Sequence, residues 1–279
     1  MIDIQNLMFS YKQNRVFVDI NLQFKPGCIY GLLGENGVGK TTLLKIISGL
    51  LPVGQGSCTV DDMPSFERRP EMLENLVFLP DTVVLPGDST PLNYAASIAP
   101  FYPNYDNDRL LALLKELEVT PEWKFAQMSY GQQKKALLAV TLSLGTHYIL
   151  LDEPTNGLDI PSKSQFRSIL SQRIDENSTI IISTHQVRDV ETLIDPVVIL
   201  THNDVLLNNS LEEVGQKLLF DYSETADPMA LYSERQPGGW LNVMENMSGL
   251  ESQVNIEALF NTAHRNPHLF KELFGNNQK

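Results

Sequence analysis

A glycine-rich segment near the start of the chain carries the residue types that bind phosphate. It fits the spacing G-x-x-x-x-G-K-[ST] with Gly34, Glu35, Asn36, Gly37, Val38, Gly39, Lys40 and Thr41, and Thr42 follows. Glycines let such a backbone curl so that its N–H groups point at phosphate oxygens, while the lysine reaches the β and γ phosphates and the hydroxyl holds Mg²⁺. The segment therefore predicts a site for a nucleoside triphosphate with Mg²⁺.

Two carboxylates follow a second apolar run. Residues 148–151 are Tyr, Ile, Leu and Leu, and Asp152 and Glu153 come next. At the end of a buried strand beside a phosphate loop, Asp152 would hold Mg²⁺ directly or through water, and Glu153 would polarise an attacking water. An acidic strand end also occurs as an ordinary turn, so the prediction of hydrolysis depends on the glycine-rich segment.

A third motif lies between these two and identifies a family. Ser129, Tyr130, Gly131 and Gln132 precede a helix-like run, where Ser129 can cap the helix and the helix N-terminus favours an anion. Together the three motifs resemble the nucleotide-binding subunit of the ABC ATPases, whose signature is typically LSGGQ, over about residues 2–215. The resemblance implies that ATP is the nucleotide and that these four residues contact the ATP of a partner subunit.

The resemblance assigns expected roles to three further residues. Tyr11 matches the aromatic that stacks on adenine, although it is also compatible with a tyrosine on a strand surface. Asp159, in the loop that begins at Asn156, matches the residue that communicates across the dimer, although Asn-Gly is also a common turn. His185 matches the histidine that contacts the γ-phosphate, so Lys40, Glu153 and His185 form the expected catalytic group.

Two positions depart from the family pattern. Tyr130 stands where the signature usually has a small residue, and Asp81 stands where the loop after residues 76–80 normally carries glutamine. Because a carboxylate can still ligate Mg²⁺ through oxygen, we expect Asp81 to join Thr41 and Asp152 at the metal.

Composition limits the function classes. The 279 residues are 42% hydrophobic and 20% charged, as in an ordinary globular protein, and 21 basic against 34 acidic residues leave a net charge of −13. That charge opposes binding to a nucleic-acid backbone. We recognise neither a secretory signal nor a run of about 20 apolar residues that would span a bilayer. We therefore expect a cytoplasmic protein without a membrane span of its own, and the resemblance implies that it is peripheral on the inner face of the cell membrane.

The pattern of apolar residues predicts an α/β fold. Alternating residues over 2–24 indicate an antiparallel β-subdomain, and apolar runs at 28–33, 148–151, 179–182 and 197–200 indicate a mainly parallel sheet with flanking helices. The resemblance makes this a P-loop NTPase core. We expect one ATPase domain over residues 1–215 with a helical subdomain inserted at about 84–145. Residues 216–279 would form a small α+β appendage with strands at 218–222, 229–233 and 240–244 and a helix at 254–264.

The resemblance implies an ATP-hydrolysing subunit that powers a separate polytopic membrane permease as a homodimer or pseudo-dimer. Residues 101–106 and 129–135 resemble bacterial exporters of the bacitracin and multidrug resistance type. Two alternatives stay open. One is an ABC ATPase that acts on DNA or ribosomes, which the net charge disfavours; the other is a catalytically weak regulatory subunit, which Tyr130 and Asp81 suggest.

Overall fold

The structure is a computed structural model that describes residues 1–247 and 249–275. Its strands form an antiparallel sheet, a larger mainly parallel sheet and a small C-terminal sheet. The strands are β1 Ile2–Tyr11, β2 Asn14–Phe24, β3 Cys28–Leu33, β4 Gln55–Val60, β5 Met63–Pro64, β6 Leu76–Leu79, β7 Tyr148–Asp152, β8 Thr179–Thr184, β9 Val197–Thr201, β10 Asp204–Asn209, β11 Leu218–Ser223, β12 Tyr232–Gln236 and β13 Gly239–Glu245.

The α-helices lie between and after these strands, and several begin at a side chain that accepts a backbone N–H, as at Ser129, Asp159 and Asn255. Such caps satisfy N–H groups that have no partner within the helix. The helices are α1 Lys40–Ile47, α2 Pro70–Leu73, α3 Pro91–Ile98, α4 Asn107–Glu116, α5 Tyr130–Ser143, α6 Ile160–Arg173, α7 Leu211–Lys217, α8 Ile256–Arg265 and α9 Pro267–Phe274.

The large sheet has the strand order β10-β9-β3-β8-β7-β6. Its strands β6, β7, β8, β3 and β9 run parallel, and β10 pairs antiparallel to β9 at one edge. Every residue of β7 and β8 is buried, as expected for central strands covered on both faces. The predicted α/β fold with a mainly parallel sheet is confirmed. Because β3, β7 and β8 run in the same direction, their carboxyl ends lie together along one edge of this sheet.

The two faces of the large sheet pack into different hydrophobic cores. On β3, Tyr30 and Leu32 join the core that includes α1 and the antiparallel sheet, whose order is β2-β1-β4-β5. The alternate residues Ile29 and Leu33 join the core that includes α4, α5 and α6. The predicted antiparallel subdomain over residues 2–24 is therefore present, and its face covers the sheet on the side of the glycine-rich segment.

The predicted helical segment at 84–145 contains α3, α4 and α5. Helix α4 buries Leu110, Leu113 and Leu114 along one side, the i, i+3, i+4 spacing of an amphipathic helix. Helix α5 is polar at its first turn and buried from Ala136 to Ser143, so it carries its N-terminus out of the core.

The C-terminal region is an antiparallel sheet of order β11-β13-β12 followed by α8 and α9. The predicted strand at 229–233 is wrong over its first three residues, since β12 begins at Tyr232, which pairs with Val243. The sequence did not lead us to predict α9, whose Phe270 and Phe274 are buried in the same core as Leu33 of β3. Residues 248 and 276–279 of the predicted appendage lie outside the described residues, and the boundary at 215 stays a prediction.

None of the helices in residues 1–247 and 249–275 combines the length and the apolar composition needed to cross a membrane.

Candidate nucleotide site

The glycine-rich segment turns from the end of β3 into the start of α1. Gly37 and Gly39 have φ angles of +87° and +112°, which L side chains rarely adopt. A Cβ at Gly39 would also lie 2.7 Å from Val16 of β2. Both its φ angle and this close contact therefore favour glycine at position 39. The turn leaves Glu35, Asn36 and Gly37 exposed and buries Val38 in the core, which fixes the loop against the antiparallel sheet.

Lys40 lies inside the curve of this loop. Its Nζ donates to the carbonyl oxygen of Gly34 at 2.7 Å and to that of Glu35 at 3.1 Å, and the residue is 6% exposed. Burial lowers the pKa of Lys40, while the nearby carboxylates of Glu153 and Asp152 oppose that shift. The ammonium is thus held at the phosphate loop by acceptors that a phosphate oxygen could replace.

Thr41 and Asp152 meet although they are far apart in the sequence. The Thr41 hydroxyl donates to Oδ2 of Asp152 at 2.7 Å, and the Ser183 hydroxyl at the end of β8 donates to Oδ1. Asp152 is 3% exposed. A hydroxyl and a carboxylate supply the oxygen ligands that Mg²⁺ prefers, so these residues fit the ion that the motif predicts.

Glu153 and His185 form the second group at this edge of the sheet. Oε1 of Glu153 accepts from Nδ1 of His185 at 2.8 Å and lies 4.0 Å from Nζ of Lys40. The other carboxylate oxygen, Oε2, is buried and has no hydrogen-bond partner among the described residues. An unpaired buried acceptor is costly, and a water that donates a hydrogen bond to it would satisfy it.

Tyr11 and Thr42 lie next to each other beside the start of α1. The Tyr11 ring is 46% exposed, packs edge to face on Phe9 at 4.9 Å, and its hydroxyl lies 3.4 Å from Oγ1 of Thr42. An exposed, supported ring close to the phosphate loop has the position that stacking on a base requires. The adenine contact of Tyr11 stays a prediction.

The signature residues form the capped start of α5. The Ser129 hydroxyl accepts from the backbone N–H of Gln132 at 3.3 Å, and the Gln132 side chain accepts from the Ser129 N–H at 2.9 Å, a reciprocal capping box. Tyr130 is half exposed and packs against Gly157, where an added Cβ would lie 2.5 Å from the Tyr130 ring. A Cβ on Gly131 would lie 3.0 Å from the Gly157 carbonyl oxygen. Contact with a partner subunit's ATP stays a prediction.

Asp159 caps a helix in this structure. Its Oδ1 accepts from the backbone N–H of Ser162 at 3.0 Å at the start of α6. Hydrogen bonds from Ser162 lower the pKa of Asp159. The exposed position leaves a role between subunits available, and that role stays a prediction.

Asp81 is bonded to a residue that the sequence analysis missed. Its Oδ1 accepts from Nζ of Lys134 at 2.9 Å, with the amide of Asn156 at 3.4 Å, whereas Thr41 and Asp152 are bonded to each other. Magnesium ligation by Asp81 would therefore compete with its ion pair to Lys134. The role of Asp81 as a magnesium ligand stays a prediction. One signal in the sequence could have indicated this contact. Lys134 has the i, i+3, i+4 spacing to Leu137 and Leu138 that places a charged residue on the buried face of the helix.

The comparisons with known proteins agree with this geometry. Residues 17–156 match the family described as ABC transporter. The ABC transporter ATP-binding protein YtrB of Bacillus subtilis is 26% identical over 78% of this chain and 75% of its own length. The energy-coupling factor transporter ATP-binding protein EcfA2 of Staphylococcus aureus is 30% identical over 77% of this chain and 81% of its own length.

A solved structure described as the dimeric form of the bacterial ABC transporter cassette MJ0796 shares the fold, with a TM-score of 0.68, 23% identity and coverage of 76% of this chain and 99% of its own. The family match spans the glycine-rich segment, the signature and the acidic strand. In the structure the glycine-rich segment leads into α1, the signature begins α5, and the acidic strand is β7 of the large sheet. The chain therefore belongs to the ABC transporter family of ATP-binding proteins and is an ABC ATPase.

Proposed function

We propose that the chain binds ATP with Mg²⁺ at the loop before α1 and hydrolyses it with Glu153 as the residue that polarises the attacking water. The observation that carries this proposal is the Glu153 carboxylate, which lies between His185 and Lys40 and whose Oε2 has no hydrogen-bond partner within residues 1–247 and 249–275. Thr41 and Asp152 would hold Mg²⁺, which would neutralise charge on the phosphate oxygens. His185 keeps the carboxylate of Glu153 directed into the site.

We further propose that hydrolysis powers a separate polytopic membrane permease that works as an exporter. The two relatives named as transporter ATP-binding proteins support the permease. The resemblance of residues 101–106 and 129–135 to bacitracin and multidrug exporters supports the direction. Two ATPase subunits would then close on ATP, with Ser129 at the capped helix start facing the partner's nucleotide. The protein would lie on the cytoplasmic face of the membrane, held there by its permease.

ATP hydrolysis by purified protein tests the role of Glu153. We expect Glu153→Gln to bind ATP with Mg²⁺ at near-parental affinity and to lose turnover by at least a hundredfold, because the amide does not accept a proton. The matched control is Glu176→Gln, an exposed carboxylate in the loop before β8 at the opposite end of the sheet. Parental turnover in Glu153→Gln would refute the assignment.

A capture experiment tests the permease. Glu153→Gln and the Glu176→Gln control are added with ATP to detergent-solubilised native membranes, and captured proteins are identified. We expect a stoichiometric multi-span membrane protein with Glu153→Gln, since slow hydrolysis prolongs the ATP-bound complex. Recovery of ribosomes or DNA-bound proteins instead would refute the transport assignment.

A further inference from the structure

The buried ammonium of Lys134 joins three parts of the site. It is 4% exposed and lies one turn into α5. Its Nζ donates to the backbone carbonyl oxygen of Glu153 at 2.7 Å, to Oδ1 of Asp81 at 2.9 Å and to the carbonyl oxygen of Asp81 at 3.4 Å. One cation therefore connects the signature helix, the loop after β6 and the residue after β7.

The bond to Glu153 acts on a strained backbone. Glu153 has a φ angle of +47°, in the left-handed region that residues with a Cβ rarely occupy. Such conformations persist only where surrounding contacts hold them. The backbone N–H of Glu153 is held by the carbonyl oxygen of Ser183 at 3.0 Å, and its carbonyl oxygen is held by Lys134. The carbonyl oxygen also accepts from the backbone N–H of Asn156 at 3.2 Å, so loss of Lys134 would remove the shorter of its two hydrogen bonds and loosen the backbone that carries the carboxylate beside His185.

The contacts continue from Asp81 around the site and return to Glu153. Asn156 lies 3.4 Å from Asp81 and 3.3 Å from the amide of Gln186, which lies 3.5 Å from Nε2 of His185. His185 then bonds Oε1 of Glu153. The backbone and the side chain of Glu153 therefore belong to one closed series of polar contacts.

The two departures from the family pattern lie against each other in this series. The Tyr130 hydroxyl donates to the carbonyl oxygen of Asp81 at 3.3 Å, and the Tyr130 ring lies 5.9 Å from Nζ of Lys134. The aspartate supplies the charge that the buried lysine needs, because an unpaired buried ammonium is strongly destabilising. Asp81, Tyr130 and Lys134 thus form one unit, which we call the Lys134 clasp.

We propose that Lys134 is a positioning residue that holds Glu153 in its hydrolytic orientation, and that Asp81 serves this reaction by holding Lys134. This inference rests on the proposed role of Glu153 in hydrolysis. Lys134 acts through the backbone of Glu153, so its loss should lower kcat for ATP while the KM and the ATP affinity stay near parental values.

The first test compares three variants with the parent. Lys134→Met removes the donor and keeps the side-chain length, Asp81→Asn keeps the bond to Glu153 while weakening the ion pair, and Lys115→Met alters an exposed lysine of α4 as the matched control. We expect kcat to fall by about tenfold to a hundredfold in Lys134→Met, which is the range for small misplacements of a catalytic group, and by less than threefold in Asp81→Asn. Lys115→Met should match the parent. A parental kcat in folded Lys134→Met overturns the proposal.

A charge-exchanged double variant, Asp81→Lys with Lys134→Asp, keeps the inference testable if Lys134→Met does not fold. The exchange restores an ion pair between α5 and the loop after β6, but it places a carboxylate where the carbonyl oxygen of Glu153 needs a donor. We expect the folded double variant, checked by its cooperative thermal unfolding, to have a kcat as low as that of Lys134→Met. A parental kcat in this variant would show that the ion pair alone matters and would overturn the proposed positioning of Glu153.

Hydrogen exchange without nucleotide gives a readout that does not depend on activity. We expect Lys134→Met to speed exchange over residues 152–156 relative to Asp81→Asn and the parent, because the peptide of Glu153 loses a fixed contact. Unchanged exchange there contradicts the inference. In a Glu153→Gln background, single-turnover hydrolysis should be insensitive to Lys134→Met. Full turnover by Glu153→Gln alone would instead refute the proposed function, so the two failures are distinguishable.

Discussion

Replacing Phe270 with alanine tests whether the C-terminal region is part of the ATPase core. The ring is fully buried on α9, 5.3 Å from the ring of Phe274, in a cluster that also contains Ile29 and Leu33 of β3. Removing a fully buried phenylalanine ring costs about 3–5 kcal/mol in lost transfer free energy and cavity formation. For an m-value of about 3 kcal/mol per molar urea, that cost lowers the urea midpoint by about 1–1.7 M.

The chain contains two tryptophans, and they report on different regions. Trp123 lies before the start of α5, and Trp240 lies on β13. Single-tryptophan parents made by Trp123→Phe or Trp240→Phe therefore follow the helical segment and the C-terminal sheet separately by fluorescence during urea unfolding. Because Phe125 of the helical segment and Leu241 of β13 lie in the same hydrophobic core as Phe270, we expect Phe270→Ala to shift both transitions by the same amount.

The matched control is Phe101→Ala, since that ring is 72% exposed and its removal should change the free energy of unfolding by less than about 0.5 kcal/mol. A Phe270→Ala transition that moves for Trp240 while the Trp123 transition stays at its parental midpoint would refute the reasoning. That outcome would make residues 216–279 an independent unit, as the predicted boundary at 215 supposes.

Three further changes have clear expected outcomes. Gly39→Ala should weaken ATP binding by at least tenfold in calorimetric titration, because its Cβ would meet Val16 and its φ angle of +112° is strained. Tyr11→Ala should weaken ATP binding by about tenfold, the worth of one base stack, whereas Tyr11→Trp should retain it; equal affinities would remove the adenine role. Burial raises the pKa of Cys58 to about 11 and also raises that of the more accessible Cys28. Since the thiolate is the nucleophile, alkylation of folded protein at pH 8 should label Cys28 first and Cys58 only as the pH approaches 11, and mass spectrometry of the peptides checks the order.

The parts of the fold that the sequence predicts well are those where local spacing and burial agree. The central strand β7 is a continuous apolar run, and the helix after Gly39 begins where the motif places it. The position of β12 is set instead by the hairpin that it forms with β13 around Gly238, in which Tyr232 pairs with Val243, whereas the apolar residues before Tyr232 led to the prediction of a strand at 229–233. Helix α9 depends on burial against β10, which precedes the whole C-terminal sheet in the chain. A local window around α9 does not contain that strand.

The phosphate site could be anticipated because its glycine-rich segment, its two carboxylates and His185 lie at or just after the carboxyl ends of strands of the same parallel sheet. Strands that run in one direction end at one edge, so Asp152 and Ser183 meet there as a consequence of topology alone. Contacts with Lys134 had no such basis. That residue lies inside a helix, and its partner Asp81 lies 53 positions earlier in a loop.

The position of the Lys134 clasp changes what the two departures from the family pattern mean. Considered one at a time, Asp81 fits an altered magnesium ligand, and Tyr130 is a larger residue at a signature position that is usually small. In the structure Tyr130 and Lys134 both donate to the Asp81 carbonyl oxygen, and Lys134 reaches on to the backbone of Glu153. Substituting Asp81 would remove the carboxylate that pairs with the buried Lys134 ammonium, whereas the half-exposed Tyr130 donates to a backbone carbonyl oxygen that any residue at position 81 supplies. On our proposal both departures therefore lie around Glu153, the residue proposed to polarise the attacking water, and the kcat of the parent protein decides between this explanation and a catalytically weak regulatory subunit.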